Sequence, residues 1–208
     1  MAMRAPKSIE VGLDLRFFKI SGTWEPNDAE RLAAWELYVE LMTRVAVVPL
    51  GAGEGLLREA LTSLYSLFAS TRDILRRHGP TVAEPKPDGQ YNFGYLAVVI
   101  LNCVIRPFLA HWHPLLQEWE ASRPANRSRA EHEQAWPYIA QLRAELDDTR
   151  AILTQYAALL AAACGVPDLS AAMPKPVTDS DPQILALNTD GYFNNPSPEY
   201  FGRHKGRK

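Results

Sequence analysis

Residues 56–78, LLREALTSLYSLFASTRDILRRH, contain the clearest helical pattern in the sequence. Apolar side chains recur there at steps of three and four residues, which places them on one face of an α-helix. That face is formed by Leu57, Leu61, Leu64, Phe68, Thr71 and Leu75. Basic residues at 76–78 complement the negative end of the helix dipole, and Gly79-Pro80 ends the helix. The stretch predicts a long amphipathic helix and a mainly α-helical fold.

A second helix is expected upstream, over residues 27–46. Asn27 and Glu30 have the spacing of a capping box, in which each side chain satisfies a backbone N–H of the other residue. The three- and four-residue steps predict a buried seam of Leu32, Trp35, Val39, Met42 and Ala46.

Residues 93–120 predict a central helix, because they are apolar nearly all round at first. Pro107 removes a helical hydrogen bond, so we expect a kink near Cys103. The run 93–105 alone is too short to span a bilayer, which favours a soluble protein with no membrane contact.

The last helix begins at Ser128, where Glu131 completes another capping box. Pro137 either bends this helix or marks its true start, and Gly165 ends it. Together the four stretches predict an antiparallel four-helix bundle.

The chain ends complete the predicted organisation into three segments: 1–26, 27–166 and 167–208. Residues 9–20 alternate like a half-buried strand, whose mate would be 45–50, 184–187 or another chain. The final segment reads as a proline-rich, extended arm with a basic tip.

Composition narrows the function classes. The 208 residues carry 22 basic and 24 acidic side chains, a net charge of −2, so only the local basic tip suits nucleic acid. Cys103 and Cys164 are expected to be buried and reduced, as in a cytoplasmic protein. The Ala- and Arg-rich composition suggests a bacterial protein.

No cofactor or metal is predicted. Gly51 and Gly53 would need a third glycine where Leu56 stands to form a dinucleotide-binding loop. His111 and His113 lie two residues apart, which turns them to different sides of a helix, and no Glu-x-x-His occurs.

Two polar residues interrupt the most apolar helix. Asn102 and Arg106 are expected to be buried there, where a charge needs a partner. The candidate partners of Arg106 are Glu36, Glu40 and Glu59, or the carbonyls that Pro107 frees, with a guanidinium at the helix surface as the alternative.

Three Arg–His pairs have the four- to six-residue spacing of ribonucleases of the HEPN class, namely Arg72/His78, Arg106/His111 and Arg127/His132. In that class the resemblance implies a histidine proton shuttle and an arginine that binds phosphate, with two copies meeting across a dimer. The spacing is permissive, and the resemblance covers only six or seven residues at each pair.

The leading hypothesis is a non-enzymatic interaction or adaptor module, a subunit of a bacterial multi-protein assembly. A strand without an obvious mate and an arm rich in aromatics are both means of joining chains or of self-association. The expected partner-binding residues are Leu13, Leu15, Phe17, Tyr192, Phe193, Tyr200 and Phe201. The alternatives are a HEPN-like ribonuclease or other nucleic-acid-acting bundle, and a small-ligand-binding bundle whose pocket the Pro107 kink opens.

Overall fold

A computed structural model describes residues 6–16, 18–44, 55–87, 89–167 and 169. Of these, 69% are helical, and a small three-stranded sheet accompanies the helices, so the expectation of a mainly α-helical fold is confirmed. A four-helix bundle is not established. The elements are β1 (Ile9–Asp14), β2 (Lys19–Trp24), α1 (Asp28–Met42), α2 (Leu57–His78), a 3₁₀ helix (Gly79–Ala83), β3 (Gln90–Tyr91), α3 (Phe93–Val99), a π-helical segment (Ile100–Ile105), α4 (Arg106–Ala121), α5 (Arg129–Gln134) and α6 (Ile139–Cys164).

The predicted second helix is present with the expected end signals. Gly79 follows it with a φ of 67°, a conformation that suits glycine, and its N–H donates to the carbonyl of Leu75. The buried residues of α2 include Leu57, Leu61 and Leu64 of the predicted face.

One continuous helical stretch runs from Phe93 to Ala121 through α3, the π segment and α4. The N–H of Arg106 donates to Leu101, five residues back, in place of the usual four. The kink predicted near Cys103 stays a prediction, and the structure places a wide π-helical turn at that position, directly before Arg106 and Pro107. This stretch is long and apolar enough to cross a membrane, but 56% of its most apolar window is buried within the protein, as is typical of a core helix in a soluble protein.

Pro137 marks the true start of the last helix. Ser128 and Glu131 form the predicted capping box on the short α5, which ends at Gln134. The chain then turns at Pro137 and enters α6, which ends at Gly165 in the left-handed conformation. Cys164, like Cys103, is only partly buried, which corrects the expectation of two fully buried thiols.

The amino-terminal strand has a mate within its own chain. Residues 9–20 do not form one strand, because Arg16 takes a φ of 71° and the N–H of Leu15 closes a turn onto Phe18 at 2.9 Å. β1 therefore pairs antiparallel with β2, and β3 adds a short parallel ladder to β2. The expected mates 45–50 and 184–187 lie outside the described residues.

The sheet and the helices share one core. The inward side chains of β1 and Trp24 of β2 belong to the same cluster of buried residues as the helices. β1 packs against α6, and α1 lies against both α2 and α6. The two strands of the predicted segment 1–26 are thus an integral part of the fold, whereas most of 167–208 lies outside the described residues.

A buried carboxylate joins these elements. Glu30 is fully buried, and its oxygens accept hydrogen bonds from Trp24 Nε1 at 3.2 Å, Asn27 N at 2.8 Å and Phe93 N at 2.9 Å. Lys86 Nζ lies 2.8 Å from the same carboxylate and balances its charge. Four donors from different elements therefore replace the water that Glu30 loses on burial.

Candidate functional site

The outward face of α1 carries exposed apolar residues. Leu32, Trp35 and Val39 are 60%, 41% and 37% exposed, and their spacing places them on one side of the helix. The opposite side of α1 is buried against α2 and α6. We call Leu32, Trp35 and Val39 the α1 stripe. A helix that is apolar on both sides is typical of one that is covered on both sides.

The residues of the α1 stripe were predicted to be buried, but they are exposed. The sequence pattern placed Leu32, Trp35 and Val39 inside, but the protein instead buries a second seam formed by Ala33, Ala34, Leu37, Tyr38 and Leu41. Both faces of α1 carry large apolar side chains, so periodicity alone did not distinguish the buried face from the exposed one. That second seam was the signal in the sequence that could have revealed the exposed face.

A groove of about 360 Å³ lies beside the stripe, between α1 and α2. Its apolar floor is formed by Trp35, Val39 and Ile74, and the charged side chains at its edges are Glu36, Glu40, Asp73 and Arg77. The lining thus contains three carboxylates and one guanidinium. Each carboxylate has a basic partner, because Glu36 pairs with Arg77, and Glu40 and Asp73 pair with Arg44 and Arg76 outside the lining.

Hydrogen bonds and ion pairs hold the carboxylates at this edge of the groove in place. Glu36 contacts both Arg77 and His78, with His78 Nε2 3.0 Å from Glu36 Oε1. Burial raises the pKa of Glu40, but hydrogen bonds from Ser70 and Arg44 outweigh that effect and hold its pKa below the usual value. Glu40 therefore remains ionised at neutral pH.

The described chain ends next to α1. The N–H of Leu169 donates to Tyr38 Oη at 2.6 Å, and the Tyr38 ring lies 6.1 Å from the Trp35 ring. The predicted anchors of the arm, Tyr192, Phe193, Tyr200 and Phe201, lie outside the described residues, as does Phe17.

Two predicted partner-binding residues are part of the core. Leu13 and Leu15 are 3% and 1% exposed and pack within their own chain, so the expectation that they bind a partner is wrong. The reason is the β1–β2 hairpin, which directs one face of β1 onto α6.

Asn102 and Arg106 are also placed differently from the prediction. Both are exposed, and Arg106 Nε donates to Asn102 Oδ1 at 2.9 Å. The guanidinium lies 5.3 Å from the centre of the Phe68 ring and forms no ion pair with a described glutamate. The prediction of a buried ion pair is wrong, because this helix covers the core with one face only.

The first two Arg–His pairs do not form joint sites within the described chain. Arg72 Nε donates to the carbonyl of Phe68, whereas His78 pairs with Glu36. The Arg106 guanidinium stacks on the Phe68 ring. The exposed His111 ring packs edge-on against the Trp112 ring, with 4.7 Å between the ring centres.

In the third pair, Arg127 is exposed and His132 is buried. His132 stacks on Trp119 with 4.5 Å between ring centres, and its Nε2 lies 2.8 Å from the Trp119 carbonyl oxygen. Because a carbonyl only accepts, Nε2 carries the ring proton and holds His132 in place.

A second cleft, of about 330 Å³, lies at the start of α2. Glu133 closes its inner end, and both carboxylate oxygens lie 3.0 Å from the N–H of Leu57, which has no side-chain cap of its own. Burial raises the pKa of Glu133, and the Leu57 N–H and the charge of Arg143 partly oppose that rise. Sequence reasoning missed this residue, because the contact joins positions far apart in the chain.

Two other charged residues of this second cleft, Arg58 and Glu120, pair with each other. Arg58 binds Glu120 through Nε at 3.1 and 3.0 Å, and its Nη1 lies 2.8 Å from His113 Nδ1. In the part of the chain that the structure describes, no group of three or more His, Cys, Asp or Glu side chains is arranged to hold a metal ion.

Comparison with known proteins finds no family model, no curated protein and no solved structure that matches this chain. The candidate function therefore depends on the residues and contacts described above.

Proposed function

We propose that this protein is a non-enzymatic interaction module, an adaptor subunit of a bacterial multi-protein assembly, and that the α1 stripe binds an amphipathic helix of a protein partner. The observation that supports this is the exposure of Leu32, Trp35 and Val39 on one helix face. An exposed apolar stripe with a polar edge is typical of an interaction site.

The energetics favour a covering helix. Covering the stripe removes the exposed parts of three large apolar side chains from water, which stabilises a complex by roughly 25 cal/mol per Å² of apolar surface buried. Anchors at positions 32, 35 and 39 follow the i, i+3, i+7 pattern by which helices dock into grooves.

The charges of the groove specify the partner's chemistry. The groove lining presents three carboxylates, Glu36, Glu40 and Asp73, and one guanidinium, Arg77. The other two basic partners, Arg44 of Glu40 and Arg76 of Asp73, lie outside the lining. A partner helix with Lys or Arg beside its apolar face complements this edge, whereas an acidic helix is repelled. In this proposal the four long helices form an antiparallel bundle as the scaffold, and the setting is the cytoplasm.

Two designed helical peptides test the proposal. Both carry leucines at i, i+3, i+4 and i+7, one with lysines and the other with glutamates beside the leucines. We expect the full-length protein to bind the lysine peptide saturably in fluorescence anisotropy and the glutamate peptide at least ten-fold more weakly. Replacing both Leu32 and Val39 with Asp should abolish binding, whereas circular dichroism should show an unchanged helical content.

Val98→Asp is the matched control, because Val98 is 43% exposed but lies on α3, away from the stripe. This variant should bind the lysine peptide like the parent protein. Equal affinity for both peptides, or equal loss in the control, contradicts the proposal. Sedimentation that shows a dimer dependent on Leu32 and Val39 would assign the stripe to a second copy, and peptide binding that appears only after removal of residues 170–208 would assign it to the chain's own arm.

A further inference from the structure

A third cavity, a groove of about 550 Å³, lies between α2 and α4. It differs from the groove beside the α1 stripe and from the cleft at Glu133, and its lining residues play no part in the proposed function. Its volume falls within the range of sites for small ligands. The lining combines rings, aliphatic side chains and two guanidinium groups: Tyr65, Phe68, Arg72, Arg106, Leu109, Ala110 and His113.

The groove is positively charged. Arg72 and Arg106 both line it, and neither has a carboxylate within ion-pair distance among the described residues. Nearby arginines differ, because Arg77 pairs with Glu36 and Arg58 pairs with Glu120. Two cations without acidic partners, in a lining that contains no acid, attract an anion.

Both guanidinium groups are oriented by bonds through Nε. Arg72 Nε donates to the Phe68 carbonyl at 2.9 Å, and Arg106 Nε donates to Asn102 at 2.9 Å. The terminal nitrogens keep their donors, and a guanidinium uses these to bind phosphate or carboxylate oxygens in pairs. Arg106 is held further by stacking 5.3 Å from the Phe68 ring centre.

An exposed ring is fixed beside the arginines. Tyr65 is 64% exposed, yet its ring lies 6.1 Å from Phe68 and 6.1 Å, edge-on, from His113. His113 is itself held by Arg58, which must donate to its Nδ1. Burial and the Arg58 charge also lower the pKa of His113, so this ring adds no positive charge to those of Arg72 and Arg106 at neutral pH.

We propose that the groove between α2 and α4 binds a mononucleotide, with the base stacked on Tyr65 and the phosphate held by Arg72 and Arg106. A planar ring next to a phosphate matches a fixed aromatic ring next to two oriented guanidinium groups. A mononucleotide suits the size of the groove, and the Arg58–Glu120 pair flanks the groove beyond His113. Titration with adenine oligonucleotides distinguishes a mononucleotide from a longer single-stranded nucleic acid.

Isothermal titration of the full-length protein with AMP at about 0.15 M salt tests this site. We expect saturable one-to-one binding, with adenosine and inorganic phosphate each binding at least ten-fold more weakly. Arg72→Ala and Arg106→Lys should each weaken AMP binding at least ten-fold, the latter because lysine keeps the charge but loses the paired donors. Tyr65→Leu should also weaken binding, and Tyr65→Phe should preserve it.

Arg76→Ala is the control, because Arg76 lies on α2 but pairs with Asp73 instead of lining the groove. It should leave AMP binding unchanged, and thermal melts should show that every variant is folded. The absence of saturable AMP binding, or an equal loss in Arg76→Ala, overturns the proposal. Tighter binding with increasing length of an adenine oligonucleotide also overturns it, in favour of a single-stranded nucleic acid. Leu32→Asp/Val39→Asp should bind AMP normally, which separates this site from the α1 stripe.

Discussion

Glu30 joins several parts of the fold, because its buried carboxylate accepts hydrogen bonds from four donors. Glu30→Gln removes the charge that neutralises Lys86 and presents an amide NH₂ to groups that are themselves donors. Because removing one member of a buried ion pair leaves its partner uncompensated, we expect the free energy of unfolding to fall by about 3 kcal/mol.

Urea unfolding measures this loss. Glu10→Gln, at an exposed position of β1, is the matched control and should change stability by less than about 0.5 kcal/mol. A similar small effect for both variants would show that the hydrogen bonds of Glu30 do not depend on its charge.

Glu133 predicts a pH dependence of stability. Its pKa is raised in the folded protein, so the folded state holds this proton more tightly than the unfolded chain does. The proton's contribution is fully present below the unfolded pKa, near 4.5, and is lost as the pH rises through the raised folded value. Glu133→Gln keeps an acceptor for Leu57 but does not titrate.

We therefore expect the stability of the parent protein, relative to Glu133→Gln, to fall as the pH rises through this window. Urea unfolding of both proteins at a series of pH values measures the difference. Two curves that run parallel from pH 4 to pH 8 would contradict the assignment of a raised pKa to Glu133.

Local signals at single residues were readable from the sequence. The capping boxes at Asn27/Glu30 and Ser128/Glu131 are confirmed, because each depends on residues three positions apart. The further bonds of Glu30 to Lys86 and Phe93 could not be predicted, since they join residues 56 and 63 positions apart. The grouping of Arg72 with Arg106 is of the same long-range kind.

At the scale of elements, β2 and β3 approach each other closely at Gly22. A Cβ added there would lie 2.5 Å from the Gly89 carbonyl oxygen and 2.8 Å from Tyr91 Cε2. Gly22→Ala should therefore lower the free energy of unfolding by about 1–3 kcal/mol, as measured by thermal or urea unfolding.

Gly12 provides the matched control on the neighbouring strand. Nothing lies within 4 Å of a Cβ built on it, so Gly12→Ala should leave stability unchanged or raise it by about 0.5 kcal/mol. If the two substitutions destabilise equally, the close approach of the strands at Gly22 is not responsible for the loss.

Helix positions were easier to predict than helix faces. The bounds of α2 were read correctly because apolar spacing, basic residues and Gly79 all agree. The inner face of α1 was misassigned, because both sides of that helix carry apolar residues and periodicity alone does not rank them. The β1–β2 hairpin was missed because its turn uses Arg16 at positive φ in place of a glycine or asparagine signal.

On the scale of the whole molecule, the amino-terminal strands are as much part of the core as the helices. Deleting residues 1–26 removes β1, β2 and Trp24 from the shared cluster and exposes the side of α6 that β1 covers. We expect the shortened protein to lose its cooperative thermal transition, as followed by circular dichroism. A sharp transition near that of the parent would show that the helical region folds independently.

The π segment between α3 and α4 has a consequence for how this chain tolerates insertions and deletions. A wide turn holds one residue beyond the α-helical repeat, and one residue corresponds to about 100° of rotation around the axis. Removing Cys103 alone would therefore restore the regular α-helical repeat and leave Arg106 and His113 on the side that faces α2. Removing one residue from the regular helix α3 would instead rotate both side chains by about that angle around the axis. The π segment is thus the place in this helix where one residue can be lost without rotating the side chains that line the groove between α2 and α4.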